Sequence, residues 1–180
     1  RIQIAYAPHA PYTCGDSLLK EITKRNASSL PVCIHVSETN KEVEDSLQQF
    51  RKTPVERLRD LGLLNHQTVM FHCVHVTDRD IEIMAEANVG VVHNPESNMK
   101  LGVGVAPVTK MFRAGIAVGL GTDGASSNNN LNLLGEVATA AKLHKAFTGD
   151  MTAVTARQAL AMATREGARA LGMLDRIGTI

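Results

Sequence analysis

Histidines and carboxylates recur in this chain at one kind of place, the end of a short apolar run. His9 follows the run from Ile2 to Ala7, His35 follows Val32-Cys33-Ile34, and His72 follows Thr68-Val69-Met70-Phe71. Glu38 stands three residues beyond His35. Asp123 follows the run 116–120, inside Gly121-Thr122-Asp123-Gly124-Ala125-Ser126-Ser127-Asn128-Asn129. Imidazole nitrogens and carboxylate oxygens are zinc-binding donors, and a bound divalent ion turns water into a nucleophile at neutral pH. Several separate runs delivering such groups to one edge is the pattern of a metal-assisted hydrolytic site.

Plainer readings stand beside that one. A lone His-x-x-Glu, as in His35 to Glu38, is also a satisfied histidine followed by a helix-entry acid. In His72-Cys73-Val74-His75, one histidine is expected to face the site and the other to cap the next helix, with Cys73 in the core. His93 opens a polar stretch through Asn94, Pro95, Ser97, Asn98 and Lys100, and Asn-Pro is a turn signal. The stretch reads either as a rim loop that orders the site or touches substrate, or as a turn held by His–Asn hydrogen bonds. Asp123 carries the sharpest signal, because a buried carboxylate is costly unless paired or metal-bound. Its neighbours offer no cation. Ser126 to Asn130 are expected to supply donors or helix caps. His66 and His144 are expected on the surface, and Gly102 and Gly104 are too sparse for a phosphate loop.

The elements that must position these groups are read from periodicity. Strand-like runs fall at 2–7, 32–36, 69–74, 89–92 and 116–120, each followed by a helical pattern. Thr77 with Asp80 forms a capping-box signature, Thr39 with Glu42 opens a helix in the same way, and Thr53-Pro54 starts a helix that ends at Gly62. Two long helices are expected after the fifth run. One turns Leu134, Val137, Ala138 and Ala141 inward, and the other Ala156, Leu160, Ala163, Gly167 and Leu171. Alternating strands and helices predict a parallel α/β sheet with right-handed crossovers. Polar groups at the same end of four or five strands favour part of an eight-stranded barrel over an open sheet, whose site would gather at one switch point.

Composition removes other classes. The 180 residues are 44% hydrophobic, enough for one sizeable core, and 19 basic against 18 acidic residues give a net charge of +1. No basic block suggests nucleic acid, and an aromatic content of 3% argues against base stacking. No apolar run approaches the roughly 20 residues of a membrane span, and no secretory leader is read. Cys14, Cys33 and Cys73 are unpaired in spacing, so reduced thiols and a cytoplasmic location are expected. The first residue is Arg and another strand begins near Ile177-Gly178-Thr179, so a longer parent chain is expected.

The motifs also resemble a known family. Ala7-Pro8-His9-Ala10-Pro11-Tyr12, His35-Val36-Ser37-Glu38-Thr39, His72-Cys73-Val74-His75, the His93 to Leu101 stretch and Gly121-Thr122-Asp123-Gly124-Ala125 come in the order of the amidohydrolase superfamily. They are most similar to its branch of 5-methylthioadenosine/S-adenosylhomocysteine deaminases and triazine hydrolases. The resemblance implies a (β/α)8 barrel, here about strands 4 to 8 over residues 1–172, with 173–180 opening a returning β-sandwich segment. It implies one divalent metal, usually zinc and sometimes iron, held by His35 and Asp123. Glu38 would shuttle the proton, Asp123 would accept the water's proton while ligating the metal, His72 would orient the attacking oxygen or steady the adduct, and His9 and Glu38 would contact substrate. His75, His93, Asn98 and Ser126 would lie behind them. The family's His-x-His pair of metal ligands does not occur in these 180 residues, so this chain alone is expected to carry part of the site and no turnover. The implied activity is hydrolytic deamination of an adenosine-type nucleoside by a homo-oligomer that uses neither nucleic acid nor membrane. The rivals are s-triazine or guanine amino- or chlorohydrolysis on the same scaffold, and a module that only binds or assembles.

Overall fold

The computed structural model describes residues 2–26 and 30–179. Arg1 and Ile180 lie outside the described residues. Element order is α1 (Asp16–Arg25), β1 (Val32–Val36), α2 (Asn40–Phe50), α3 (Pro54–Asp60), β2 (Thr68–His72), α4 (Asp78–Glu86), β3 (Gly90–His93), α5 (Pro95–Leu101), α6 (Val108–Arg113), β4 (Ala117–Leu120), α7 (Leu133–Thr148), α8 (Ala156–Met162) and α9 (Arg165–Ala170). The four strands are parallel and lie in chain order, β1-β2-β3-β4. Each helical crossover therefore returns the chain to the next strand along, as a barrel requires and an open doubly wound sheet does not. Among the described residues, no helix is long and apolar enough to cross a membrane.

The run 2–7 differs from expectation. Only Tyr6 bridges, to Val32, and Ile2 and Ile4 are exposed. The segment nonetheless runs beside β1, since Tyr6 N–H donates to Pro31 O, Cys33 N–H to Tyr6 O and His35 N–H to His9 O. Such evenly spaced bonds are those of a parallel neighbour. Residues 174–176 form a turn rather than the strand expected near 177–179.

Capping signals act as the residue types dictate. Thr77 and Asp80, and Thr53 and Glu56, close reciprocal capping boxes, and Thr53 Oγ1 also donates to Asp80 Oδ1 at 2.5 Å, joining α3 to α4. The core lies between sheet and helices, with Ile34, Met70, Val91, Val118, Leu58, Met84, Met111 and Met162 buried. Beyond β4, α7 is one long helix, but the second expected helix is broken into α8 and α9. Leu134, Ala138, Leu160 and Leu171, expected inward, are exposed, while Glu136, Ala140 and His144 are buried on α7. The break lets α9 lie directly on the strands. A Cβ at Gly90 would overlap the Ala170 carbonyl, and one at Gly119 would sit 2.9 Å from Gly167 Cα, so both strand positions require glycine.

Candidate metal centre

Ser37, His72, Cys73 and Asp123 all have left-handed backbone, with φ of 51°, 67°, 47° and 61°. All four lie at or just past strand C-termini. Non-glycine residues in this region cost on the order of 1–3 kcal/mol each and persist where surrounding bonds over-determine them. Those bonds are present. Val74 and His75 N–H both donate to Ser37 O, at 3.0 and 2.9 Å, and Cys73 N–H donates to Val36 O at 3.1 Å. The turn after β1 is thus tied to the turn after β2.

These turns bring three expected residues together. One donor atom each of His35, His72 and Asp123 falls in a group whose members lie within 4.8 Å of one another. Glu38 joins them, with its carboxylate 3.9 Å from His72 Nε2, which is 4.0 Å from Asp123 Oδ2. The His35 and His72 rings stack at 5.5 Å. A cavity of 220 Å³ opens beside them, lined by His35, Phe71, Val92, Asn94, Gly121 and Asp123. A larger one, 480 Å³ and lined by residues including Tyr12, Glu42 and Arg57, touches none of the clustered donors.

Each ring is oriented by its far nitrogen. His35 Nδ1 donates to His9 O at 2.7 Å, which leaves the Nε2 lone pair for the centre. His72 Nδ1 donates to Asn98 Oδ1 at 2.8 Å. Fixing a histidine through its second nitrogen is the usual support of a metal-site imidazole. Asp123 Oδ2 accepts Ser97 Oγ at 2.7 Å, and Oδ1 accepts Gly124 N–H at 2.7 Å. Partial burial opposes ionisation of Asp123, but Ser97, the Gly124 amide, the His72 ring and Ser127 outweigh it and hold the carboxyl below the usual range. An ionised carboxylate beside a free imidazole lone pair is a donor set that fits a divalent ion.

The remaining expected residues are placed otherwise. His9 is exposed and shares a 2.8 Å hydrogen bond with Thr13 Oγ1 from Nδ1, while its carbonyl holds His35. His75 Nε2 donates to Val103 O at 2.7 Å, so it braces a loop and caps no helix. The stretch after His93 is the helix α5 rather than a rim loop, with Asn94, Ser97 and Asn98 buried. The His93 ring meets His144 in the core, Nε2 to Nε2 at 3.1 Å, so His144 is buried and not on the surface. Ser126 is exposed and its carbonyl accepts Lys100 Nζ. The hydroxyl bonded to Asp123 is that of Ser97. Cys73 is buried, and burial pushes its thiol up, which keeps it neutral.

Two contributors had no clear sequence signal, Ser97 and Asn94. Asn94 Nδ2 lies 3.4 Å from His72 Nε2, and a Cβ at Gly121 would come within 2.5 Å of Asn94 Oδ1. Gly121 thus makes room for Asn94. The polar stretch from His93 to Leu101 pointed to the site as a whole but assigned neither residue a partner.

The sequence profile of the amidohydrolase family matches residues 1–180. The chain is 53% identical to a 5-methylthioadenosine/S-adenosylhomocysteine deaminase of Caldanaerobacter subterraneus subsp. tengcongensis over 183 residues, covering 100% of this chain and 42% of that protein. It superposes on an adenosine deaminase from Xanthomonas campestris with bound zinc at a TM-score of 0.94 and 44% identity, covering 97% of this chain and 40% of that one. Its likeness to a zinc-complexed atrazine chlorohydrolase from Arthrobacter aurescens has a TM-score of 0.90 at 28% identity, over 96% and 38% of the two chains. This chain therefore spans about two-fifths of the length of the relatives it matches.

Proposed function

Since this chain belongs to the amidohydrolase family and its four parallel strands form part of that family's barrel, we propose that it carries one wall of a hydrolytic deaminase site. The substrate is an adenosine-type nucleoside, 5-methylthioadenosine or S-adenosylhomocysteine, and ammonia is released. The observation that carries this reading is the convergence of His35, His72 and Asp123 donors within 4.8 Å, with Glu38 against His72.

His35 Nε2 and the Asp123 carboxylate would hold a divalent ion, with zinc favoured by the zinc-bound relatives. Zinc sites use three or four protein ligands, and this reading takes the ligands beyond His35 and Asp123 to come from outside these 180 residues. When bound, such an ion supplies hydroxide at neutral pH by lowering the pKa of water from 15.7 to about 7. Glu38 makes no hydrogen bond through its carboxylate among the described residues, so that group is free to give a proton to the purine ring nitrogen and then to the departing amine. His72, oriented by Asn98, points its Nε2 lone pair at the space between the two carboxylates, where it would accept a hydrogen bond from the attacking oxygen and so orient it.

The test is Glu38→Gln in the complete gene product. Zinc per chain should stay unchanged while kcat for ammonia release from 5-methylthioadenosine falls by roughly 10²–10⁴. Full turnover by the zinc-loaded variant would refute the reading. The likeness to the chlorohydrolase favours one rival substrate class, so the same assay includes an s-triazine. Faster turnover of the triazine than of every adenosine analogue would move the assignment there.

A further inference from the structure

The turn that carries Glu38 is strained and unusually tied. Ser37 has a φ of 51° and is buried, with no partner for its hydroxyl among the described residues. Thr39 caps α2 by accepting Glu42 N–H at 3.1 Å, which places Glu42 at the third helical position. An ordinary capping box would send the Glu42 carboxylate back to the Thr39 amide. Here it reaches further. Oε1 accepts Ser37 N–H at 2.9 Å and Oε2 accepts Glu38 N–H at 2.8 Å. Glu42 is only 6% exposed. One buried carboxylate thus spans two successive amides, each with its own oxygen. Its partners are the strained residue and the residue proposed to move the proton.

Burial is costly to such an acid, and Glu38 lies close enough to add to the cost. Both push the Glu42 carboxyl up, while the amides of Ser37 and Glu38, and to the smallest extent that of Thr39, pull it down. A helix cap alone gives no reason to bury a carboxylate beside a second one, since a Gln at the same position completes a capping box without charge. A bidentate acceptor does give one. Gln presents one acceptor and one donor, and its donor would confront an amide N–H. Ser37 O is fixed from the other side by Val74 and His75 N–H, so the turn is gripped at both its N–H and C=O groups.

We propose that Glu42 is a positioning residue, which fixes the main chain at Ser37 and Glu38 so that the Glu38 carboxylate meets His72 Nε2. The proposal rests on the proton-carrying role given to Glu38 above. Its test is a double-mutant cycle in the complete gene product, with kcat, KM and zinc content measured for Glu42→Gln, Glu38→Gln and the pair. Glu42→Gln should lower kcat by roughly 10²-fold, the loss that follows a misplacement of about 1 Å, with KM and zinc unchanged. In the Glu38→Gln background the same substitution should cost nothing further, because its only route to the chemistry is gone. An equal fractional loss in both backgrounds would mean a general structural role and would overturn the proposal, as would an unaffected kcat in Glu42→Gln. Full activity in Glu38→Gln would remove the functional reading itself, so the two failures are distinct. If Glu42→Gln does not fold, Glu42→Asp carries the same cycle. It keeps the charge but is one methylene too short to span both amides.

Discussion

The two halves of the strand-end edge treat their chemical groups in opposite ways. On the β1–β2 half, each side chain is held at a distance from its working atom. His35 and His72 are tied through Nδ1, and Glu38 through its backbone amide, so the two Nε2 atoms and the Glu38 carboxylate face the centre, with only a long 3.4 Å contact from Asn94 Nδ2 on His72 Nε2. On the β3–β4 half the end atoms themselves are occupied. Both Asp123 oxygens accept hydrogen bonds, and the His93 ring is engaged by His144. Immobilised charge suits a group that must stay ionised, whereas a free end suits a group that exchanges protons or lone pairs during a reaction. One sheet edge thus sets a carboxylate with both oxygens bonded beside side chains held mainly from behind.

The largest effect that could break this contrast is at Asp123. Asp123→Asn keeps the shape and an acceptor for Ser97 but loses the charge, and zinc content of the complete gene product should fall with it. Turnover should drop by more than the 10²–10⁴ expected of Glu38→Gln, because a ligand is lost along with its anion. A variant that keeps both zinc and activity would show that the fixed half has no electrostatic task. Ser97→Ala is gentler. It removes one donor from Oδ2 and leaves Gly124 N–H on Oδ1. Zinc affinity should weaken by about 10–100-fold, as on loss of an outer partner, while kcat at saturating zinc stays near its starting value. Unchanged affinity in a competition titration would mean that Ser97 merely fills space.

The sequence made the free half legible and most of the fixed half illegible, for a physical reason. His35, Glu38 and His72 follow apolar runs of strand length, so period and polarity announce them locally. Asp123 was visible in the same way. Ser97 and Asn94 have meaning only through partners about 20 residues or more away, Asp123 and His72, and no local pattern shows that. On α7, Val137 and Ala141 pack against the core as expected, whereas Leu134 and Ala138 do not, because burial there also follows hydrogen bonds. Glu136 is buried since it accepts Glu96 N–H and Asn128 Nδ2, which anchor the loop after β4 to α5, while the apolar Leu134 is left outside. The split of α8 from α9 was hidden for a similar reason. Its cause is the close approach of α9 to Gly90 and Gly119, and a continuous apolar stripe along the helix cannot report that.

The two halves also differ in their histidine pairs, which yields the smallest expected effect. His93 and His144 are 0% and 2% exposed, share one proton-bearing contact, and face Lys145 and His72 nearby. Burial first, and then His144 and His72, lower His93 well below the ordinary range. Burial and Lys145 lower His144 to about 4. A histidine with a depressed folded value binds its proton more readily once unfolded. Its contribution to stability is therefore complete above the unfolded value, about 6.5, and is lost as pH falls towards about 4 for His144. The slope is at most about 1.4 kcal/mol per pH unit per histidine. His144→Gln keeps a hydrogen-bond partner for His93 Nε2 but cannot titrate. Denaturant unfolding at pH 7, 6 and 5 should show the parent losing stability more steeply than the variant, with the gap between them narrowing as pH falls. Histidines remote from position 144 cancel in that difference, whereas His93, which touches it, contributes to the change. Parallel curves would mean that His144 binds its proton in the folded protein as readily as in the unfolded one, and burial would then not close this pair to protons.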